Sequence, residues 1–289
     1  MSLLRVLILA VVQGVAELLP ISSSAHVVVA EKLMGLDPSS PEMTLLLVML
    51  HTGTMIAVIW YFWKRWRQAF FQNPAAFKSS ALLLVAATAI TGIVGEILIK
   101  IIERTWFHNA PDAEVEQLFS HLELIAPALA LAGILIIIAG LFEKQSSPSR
   151  PGNPSGLDMK QAVLIGGVQG LCLPFRGFSR SGATISTGML AGVSKVRAEE
   201  FSFALAVILT PPVVAREALR LIRAEHLSAS SNLASAMMPS VLGAFCAFLA
   251  GLLALRWLSR WLESGRWYLF GVYCLVAACA VMYLHHVGY

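Results

Sequence analysis

Six long apolar stretches dominate this chain, over residues 43–63, 81–98, 122–142, 201–221, 236–258 and 267–284. A helix needs ~20 apolar residues to cross the hydrocarbon of a bilayer. Within lipid, only helices and closed barrels satisfy their own backbone. With 57% hydrophobic residues, 13% charged and a mean hydropathy of +0.73, the 289-residue chain does not read as a soluble domain. The expected fold is an all-α integral membrane protein. The N-terminal run "MSLLRVLILAVVQGVAELLP" imitates a signal peptide, but Glu17 and Pro20 stand where a cleavage site needs small residues. It reads as part of the mature protein. Cys172, Cys246, Cys274 and Cys279 lie in apolar segments without metal-ligand spacing and read as packing residues.

The net charge of +4 calls for no nucleic acid, because membrane proteins gather Lys and Arg in cytoplasmic loops. Lys64, Arg65, Arg67 and Lys78 mark one such loop. Lys144, Arg150 and Lys160 mark a second, and Arg256, Arg260 and Arg266 a third. The connection over 105–120 is acidic and belongs outside. Arg216, Arg220 and Arg223 run against this pattern, since they precede a connection that should also lie outside.

Two further apolar segments are too short and too interrupted to span. Residues 3–19 stop at Pro20 and continue as "ISSSAHVVVAEKLMG"; residues 162–173 stop at Pro174 and continue as "FRGFSRSGATISTGMLAG". Each contains Val-Gln-Gly, then apolar residues, then Pro, then a cluster of hydroxyls. Broken segments at matching positions of two halves point to an inverted repeat with a site between them. Each half is expected to dip into the membrane as a re-entrant helix–loop–helix hairpin. The three spans between the hairpins make them enter from opposite faces. The chain is thus expected to form one polytopic domain with about six spanning helices and two re-entrant hairpins. Its halves cover about 1–142 and 160–289, joined by a linker at 143–159. Ordinary Pro-kinked helices would account for the small residues. They leave Glu17, His26 and Arg180 unexplained, because ionisable groups at membrane depth are costly.

The run "GFSRSGATIS" combines Gly177 and Gly182, which let backbone approach a ligand, with Ser179, Ser181 and Thr184 at a helix start. Arg180 adds a planar fork matched to phosphate oxygens. Together they describe an anion cradle at a helix N-terminus. Arg176 reads as a second phosphate contact or an interfacial side chain. In the first repeat, "ELLPISSSAH" offers Glu17, Ser22, Ser23, Ser24 and His26. A hydroxyl becomes a nucleophile when a base takes its proton, and either Glu17 or His26 has that chemistry. Ser22 also reads as an N-cap. Gln13, one turn before Glu17, is placed to orient its carboxylate or to help hold a metal ion. A nucleophile and base on one loop and an anion cradle on the other suggest phosphoryl transfer. His51 is a weaker candidate, as apt to be packed as to line a cavity. Glu200 opens a helix, where a carboxylate is favourable anyway. Glu96 and Lys100 read as an interfacial pair, and His285 and His286 as membrane-edge residues.

The motifs "ELLPISSSAH", "LHTGTMIAVIWYF", "GFSRSGATISTGMLAGVS" and "EEFSFALAV" resemble the undecaprenyl-diphosphate phosphatases, also called bacitracin-resistance phosphatases, over nearly the whole chain. The resemblance implies a bacterial inner-membrane hydrolase that removes the terminal phosphate of a C55 polyprenyl diphosphate at the outer face. The product lipid carrier feeds peptidoglycan synthesis, and overproduction confers bacitracin resistance. It also implies re-entrant hairpins in an inverted repeat and dependence on Mg²⁺ or Ca²⁺. By position, the family's acidic residue falls on Glu17, its proposed serine nucleophile on Ser23, its loop histidine on His26 and its arginine on Arg180. Ser179, Ser181 and Thr184 surround that arginine. Three departures stand out. Gln13 replaces a common second glutamate, Phe175 and Arg176 are inserted after Pro174, and Ala25 replaces a common glycine. A homodimer is left open. The type-2 phosphatidate phosphatases are excluded, because they need a histidine a few residues after their Ser-Arg and "SRSGATISTGML" has none. The rival from another class is a polyprenyl-phosphate transporter or flippase, which needs the anion site but no nucleophile.

Overall fold

The computed structural model describes residues 2–37, 40–106, 121–142, 157–227 and 233–288. Most of the expected linker and of the 105–120 connection falls outside these residues. Among the described residues the chain is all-helical, with ten helices: α1 (Leu3–Leu18), α2 (Ser23–Leu33), α3 (Pro41–Phe70), α4 (Pro74–Trp106), α5 (Leu122–Leu141), α6 (Met159–Cys172), α7 (Arg180–Leu190), α8 (Lys195–Leu227), α9 (Leu233–Glu263) and α10 (Tyr268–His286).

Local chemistry sets the helix ends. Ser40 Oγ accepts from the Met43 N–H at 3.3 Å and Asn73 Oδ1 from the Ala76 N–H at 2.8 Å, in each case with a proline as first helical residue. Asp158 and Gln161 form a capping box that opens α6. α1 ends where Leu19, held before Pro20, turns extended at φ −81°, ψ 153°.

Among the described residues, five helices are long and apolar enough to cross a membrane: Glu42–Phe70, Pro74–Thr105, Leu122–Leu141, Met237–Glu263 and Tyr268–His286. Their large apolar side chains also face outward, among them Trp60, Val85, Leu131, Leu253 and Val276. A surface of that kind suits lipid rather than water. The chain is a multi-pass membrane protein. The stretch at 201–221 lies inside α8, which opens with Arg197, Glu199 and Glu200 and carries Pro211 and Pro212; α8 is not among the five. The short pairs α1–α2 and α6–α7 fall where the two interrupted segments were expected.

The contacts divide the chain into two compact units. One comprises Met1–Leu19, Ser23–Trp63 and Ala206–Leu258; its core gathers Val6, Leu9, Ala10, Val27, Met43, Leu46, Leu50 and Ala247. Gly14 and Gly53 lie so close to the α9 backbone, at Ala247 and Ala244, that neither has room for a Cβ. This is how helices pack in lipid, where close van der Waals contact replaces the hydrophobic effect. The other unit comprises Pro20–Ser22, Lys64–Leu205 and Ser259–Tyr289. Its α5 and α10 meet at Gly133 and Gly271, and the Thr91 hydroxyl of α4 donates to the Gly166 carbonyl of α6 at 2.9 Å. The four cysteines are free, with Cys279 exposed on α10.

Candidate active site

In the first unit, Glu17 sits on the last turn of α1 and Ser23 is the first residue of α2. The Ser23 hydroxyl donates to Glu17 Oε2 at 2.5 Å, the length of a charge-assisted O–H···O⁻ bond. The same oxygen accepts from Gln13 Nε2 at 3.2 Å, so Gln13 orients the carboxylate from one turn back. Of the two bases legible in the sequence, Glu17 is thus the one that Ser23 addresses. His26 follows on α2, half-buried like Ser24.

His51, which the sequence left open between packing and lining a cavity, stands near Glu17. Its Nδ1 lies 2.9 Å from the Leu47 carbonyl and its Nε2 3.9 Å from Glu17 Oε2. A carbonyl can only accept, so Nδ1 carries the proton of the neutral ring and Nε2 turns its lone pair toward the carboxylate. A proton gained at Nε2 would make this an ion pair. The available signal was "LHTGT", a histidine amid apolar helix.

In the second unit, α7 begins at Arg180. Ser179 caps it, its Oγ accepting from the Gly182 N–H at 3.2 Å. Ser181, Gly182 and Thr184 are buried along the first turns. Thr184 Oγ1 donates to the Arg180 carbonyl at 2.8 Å and lies 2.6 Å from Ser202 Oγ. The loop before α7 closes with the Phe178 N–H on the Phe175 carbonyl at 3.1 Å. Phe175 and Arg176, the inserted residues, therefore form the first half of a turn, and Gly177 takes its third position at φ +101°. A Cβ on Gly177 would strike the Ile125 carbonyl. Gly177→Ala is therefore expected to destabilise the protein by at least ~2 kcal/mol, seen as a lowered melting temperature in detergent.

Ser22 also belongs to this unit. It is the one non-glycine residue with positive φ among the described residues, at +67°. It precedes α2 as an N-cap would, but not with the extended backbone of an ordinary cap. Strain of this kind costs ~1–3 kcal/mol and gathers at functional sites.

A second polar cluster went unread in the sequence. Glu199, 1% exposed, accepts from Ser259 Oγ at 2.7 Å and lies 3.5 Å from Arg65. Glu200 pairs with Arg197 at 2.8 Å, and its carbonyl accepts from Trp66 Nε1 at 3.2 Å. Apart from Arg197, three residues before Glu200, these partners come from distant parts of the chain. Glu96 and Lys100 do pair, at 3.0 Å, and His285 contacts Glu123 at 3.2 Å.

Among the described residues, no group of three His, Cys, Asp or Glu could hold a metal ion. Glu17 brings one carboxylate, and Gln13 already uses its N–H on that carboxylate, leaving an amide carbonyl to offer. Hard divalent cations take oxygen donors, and Mg²⁺ commonly rests on one or two carboxylates plus substrate phosphates. This donor set fits a cation shared with a phosphate ligand.

Residues 6–280 match the family described as Bacitracin resistance protein BacA. The chain belongs to that family. It is 54% identical over 287 residues to undecaprenyl-diphosphatase 2 of Acinetobacter baylyi, covering 98% of both chains. It is 36% identical to undecaprenyl-diphosphatase 2 of Burkholderia orbicola, over 96% of this chain and 95% of that one. Undecaprenyl-diphosphatase 1 of Burkholderia pseudomallei is also 36% identical, over 99% of both. The BacA match takes in both repeated motifs.

Proposed function

We infer that this BacA-family chain hydrolyses undecaprenyl diphosphate to undecaprenyl phosphate and inorganic phosphate. The single observation that carries the reading is its 54% identity, end to end, with an undecaprenyl-diphosphatase. The Ser23–Glu17 hydrogen bond supports it from the chemistry, because it sets a hydroxyl against a group able to take its proton, which hydrolysis needs and anion binding alone does not. In this reading Glu17 takes a proton, from Ser23 or from a water, as the oxygen attacks the terminal phosphorus. Ser22, Ser24, Gly177, Ser179, Ser181, Gly182 and Thr184 bind phosphate, while Arg180 and the first N–H groups of α7 take up the charge that builds in transfer. His26 and His51 are the imidazoles available to return a proton to the leaving group. Glu17, with the Gln13 carbonyl, would hold Mg²⁺ or Ca²⁺ together with substrate phosphates; such an ion neutralises phosphate charge.

The expected setting is the bacterial inner membrane, with the α1–α2 and α6–α7 pairs dipping into the bilayer as re-entrant hairpins and the reacting groups open to the outer face. The Lys- and Arg-rich loop around 64–78 supports a cytoplasmic location for that loop. Regenerating the carrier lipid would serve peptidoglycan synthesis and confer bacitracin resistance.

The test is phosphate release from a long-chain prenyl diphosphate by the purified protein in detergent with Mg²⁺. One phosphate per lipid is expected, with loss on chelation and recovery on adding Mg²⁺ or Ca²⁺. Binding of the lipid without any release would favour the flippase reading.

A further inference from the structure

Gln169 is a buried side chain that the reaction outlined above does not use. It lies in α6 at 0% exposure, and among the described residues neither its Oε1 nor its Nε2 has a hydrogen-bond partner. Leaving both ends of an enclosed carboxamide unpaired is destabilising, and an apolar side chain of similar volume would be more stable there. Such a group in a folded protein calls for a reason.

Its neighbours on the same face of α6 locate it. Ile165, one turn earlier, has its Cδ1 3.4 Å from where a Cβ on Gly188 of α7 would stand. Gln161, two turns before Gln169, donates its Nε2 N–H to the Ala191 carbonyl just past α7 at 3.1 Å. The two helices therefore run antiparallel, and Gln169, one turn beyond Ile165, falls alongside the first turns of α7 that hold Arg180 and Thr184. The sequence repeat adds an independent observation. Gln13 occupies the matching Val-Gln-Gly position, and its carboxamide is spent on Glu17 Oε2 at 3.2 Å. One copy of the repeated glutamine thus serves an anionic oxygen, while the other has its carboxamide unspent.

We propose that Gln169 is a further phosphate-binding residue of the Arg180 cradle, its carboxamide N–H donating to a phosphate oxygen of the lipid diphosphate. This rests on the phosphatase reading and deepens it. Phosphate at the N-terminus of α7 offers the carboxamide an acceptor that the protein does not, and the stability forgone by keeping a glutamine there is recovered on binding.

Gln169→Met keeps the side-chain length and removes both polar atoms. The full-length Q169M protein, purified in detergent, is expected to melt no lower than wild type. Its KM for a long-chain prenyl diphosphate is expected to rise about tenfold or more, the worth of one hydrogen bond to a charged group. Inorganic phosphate is expected to raise the melting temperature of wild type and to lose that effect in Q169M. Gln169→Asn, which retains a carboxamide one methylene back, should fall between the two, and it carries the same readouts if Q169M does not fold. An unchanged KM with a raised melting temperature overturns the proposal, as does a fall in kcat at constant KM with a lowered one. If wild type releases no phosphate, the phosphatase reading fails. The thermal shift then decides alone: lost in Q169M it upholds the phosphate site, and equal in both proteins it overturns it.

Discussion

Alanine at Arg180 is expected to lower the rate of phosphate release by ~10²- to 10³-fold, the usual cost of removing one donor aimed at developing charge. Lysine at the same position should recover little, because an ammonium offers a point charge where the guanidinium offers a fork matched to two phosphate oxygens. Arg180 is the first residue of α7, and the Ser179 cap that starts the helix does not depend on its side chain. The melting temperature should therefore move little, which separates loss of chemistry from loss of fold. Steady-state kinetics on wild type, R180A and R180K decide it. A wild-type rate in R180A would remove Arg180 from the site.

Glu17→Gln is expected to cost ~10²- to 10⁴-fold, the range for a positioned general base. Glutamine can still accept the Ser23 hydroxyl bond, so geometry survives while the proton has nowhere to go. Ser23→Ala then separates the two routes to phosphorus. If Ser23 attacks and a phosphoserine forms, S23A falls as far as E17Q. If Glu17 aligns a water instead, S23A keeps far more activity than E17Q. Single-turnover release of phosphate by both variants, with lipid binding measured beside it, distinguishes them.

The break at Pro20 was legible because a proline acts on its immediate neighbour, forcing Leu19 out of the helical region; at Pro174 the break was legible too, but Leu173 keeps helical angles at φ −63°, ψ −50°, just after α6 ends at Cys172. The hydroxyl-rich starts of α2 and α7 were legible for a similar reason, and the boundaries Ser23 and Arg180 fall within them. The lengths of α3 and α4 were not. Hydropathy marks 43–63 and 81–98, yet the helices run over Pro41–Phe70 and Pro74–Trp106. Apolar composition reports depth in lipid, whereas backbone hydrogen bonding continues into the charged interface beyond Trp63. His51 could be named but not ranked, because its 3.9 Å approach to Glu17 depends on how α1 and α3 pack. The Glu199–Ser259–Arg65 cluster was beyond reach, joining residues 60 and more positions apart.

By itself, then, the amino-acid order determined that this chain enters a membrane, where its two short segments break, and which hydroxyls, carboxylate and arginine stand at those breaks. These follow from composition and from steric effects that reach only a few residues. Tertiary structure decided which groups meet. It turned the Ser23 proton toward Glu17, brought His51 beside them, closed the Gly177 turn against Ile125 and left Gln169 enclosed without a partner among the described residues. The first depends on how α2 turns back from α1 and the others on the packing of segments farther apart in sequence, so no local pattern records them.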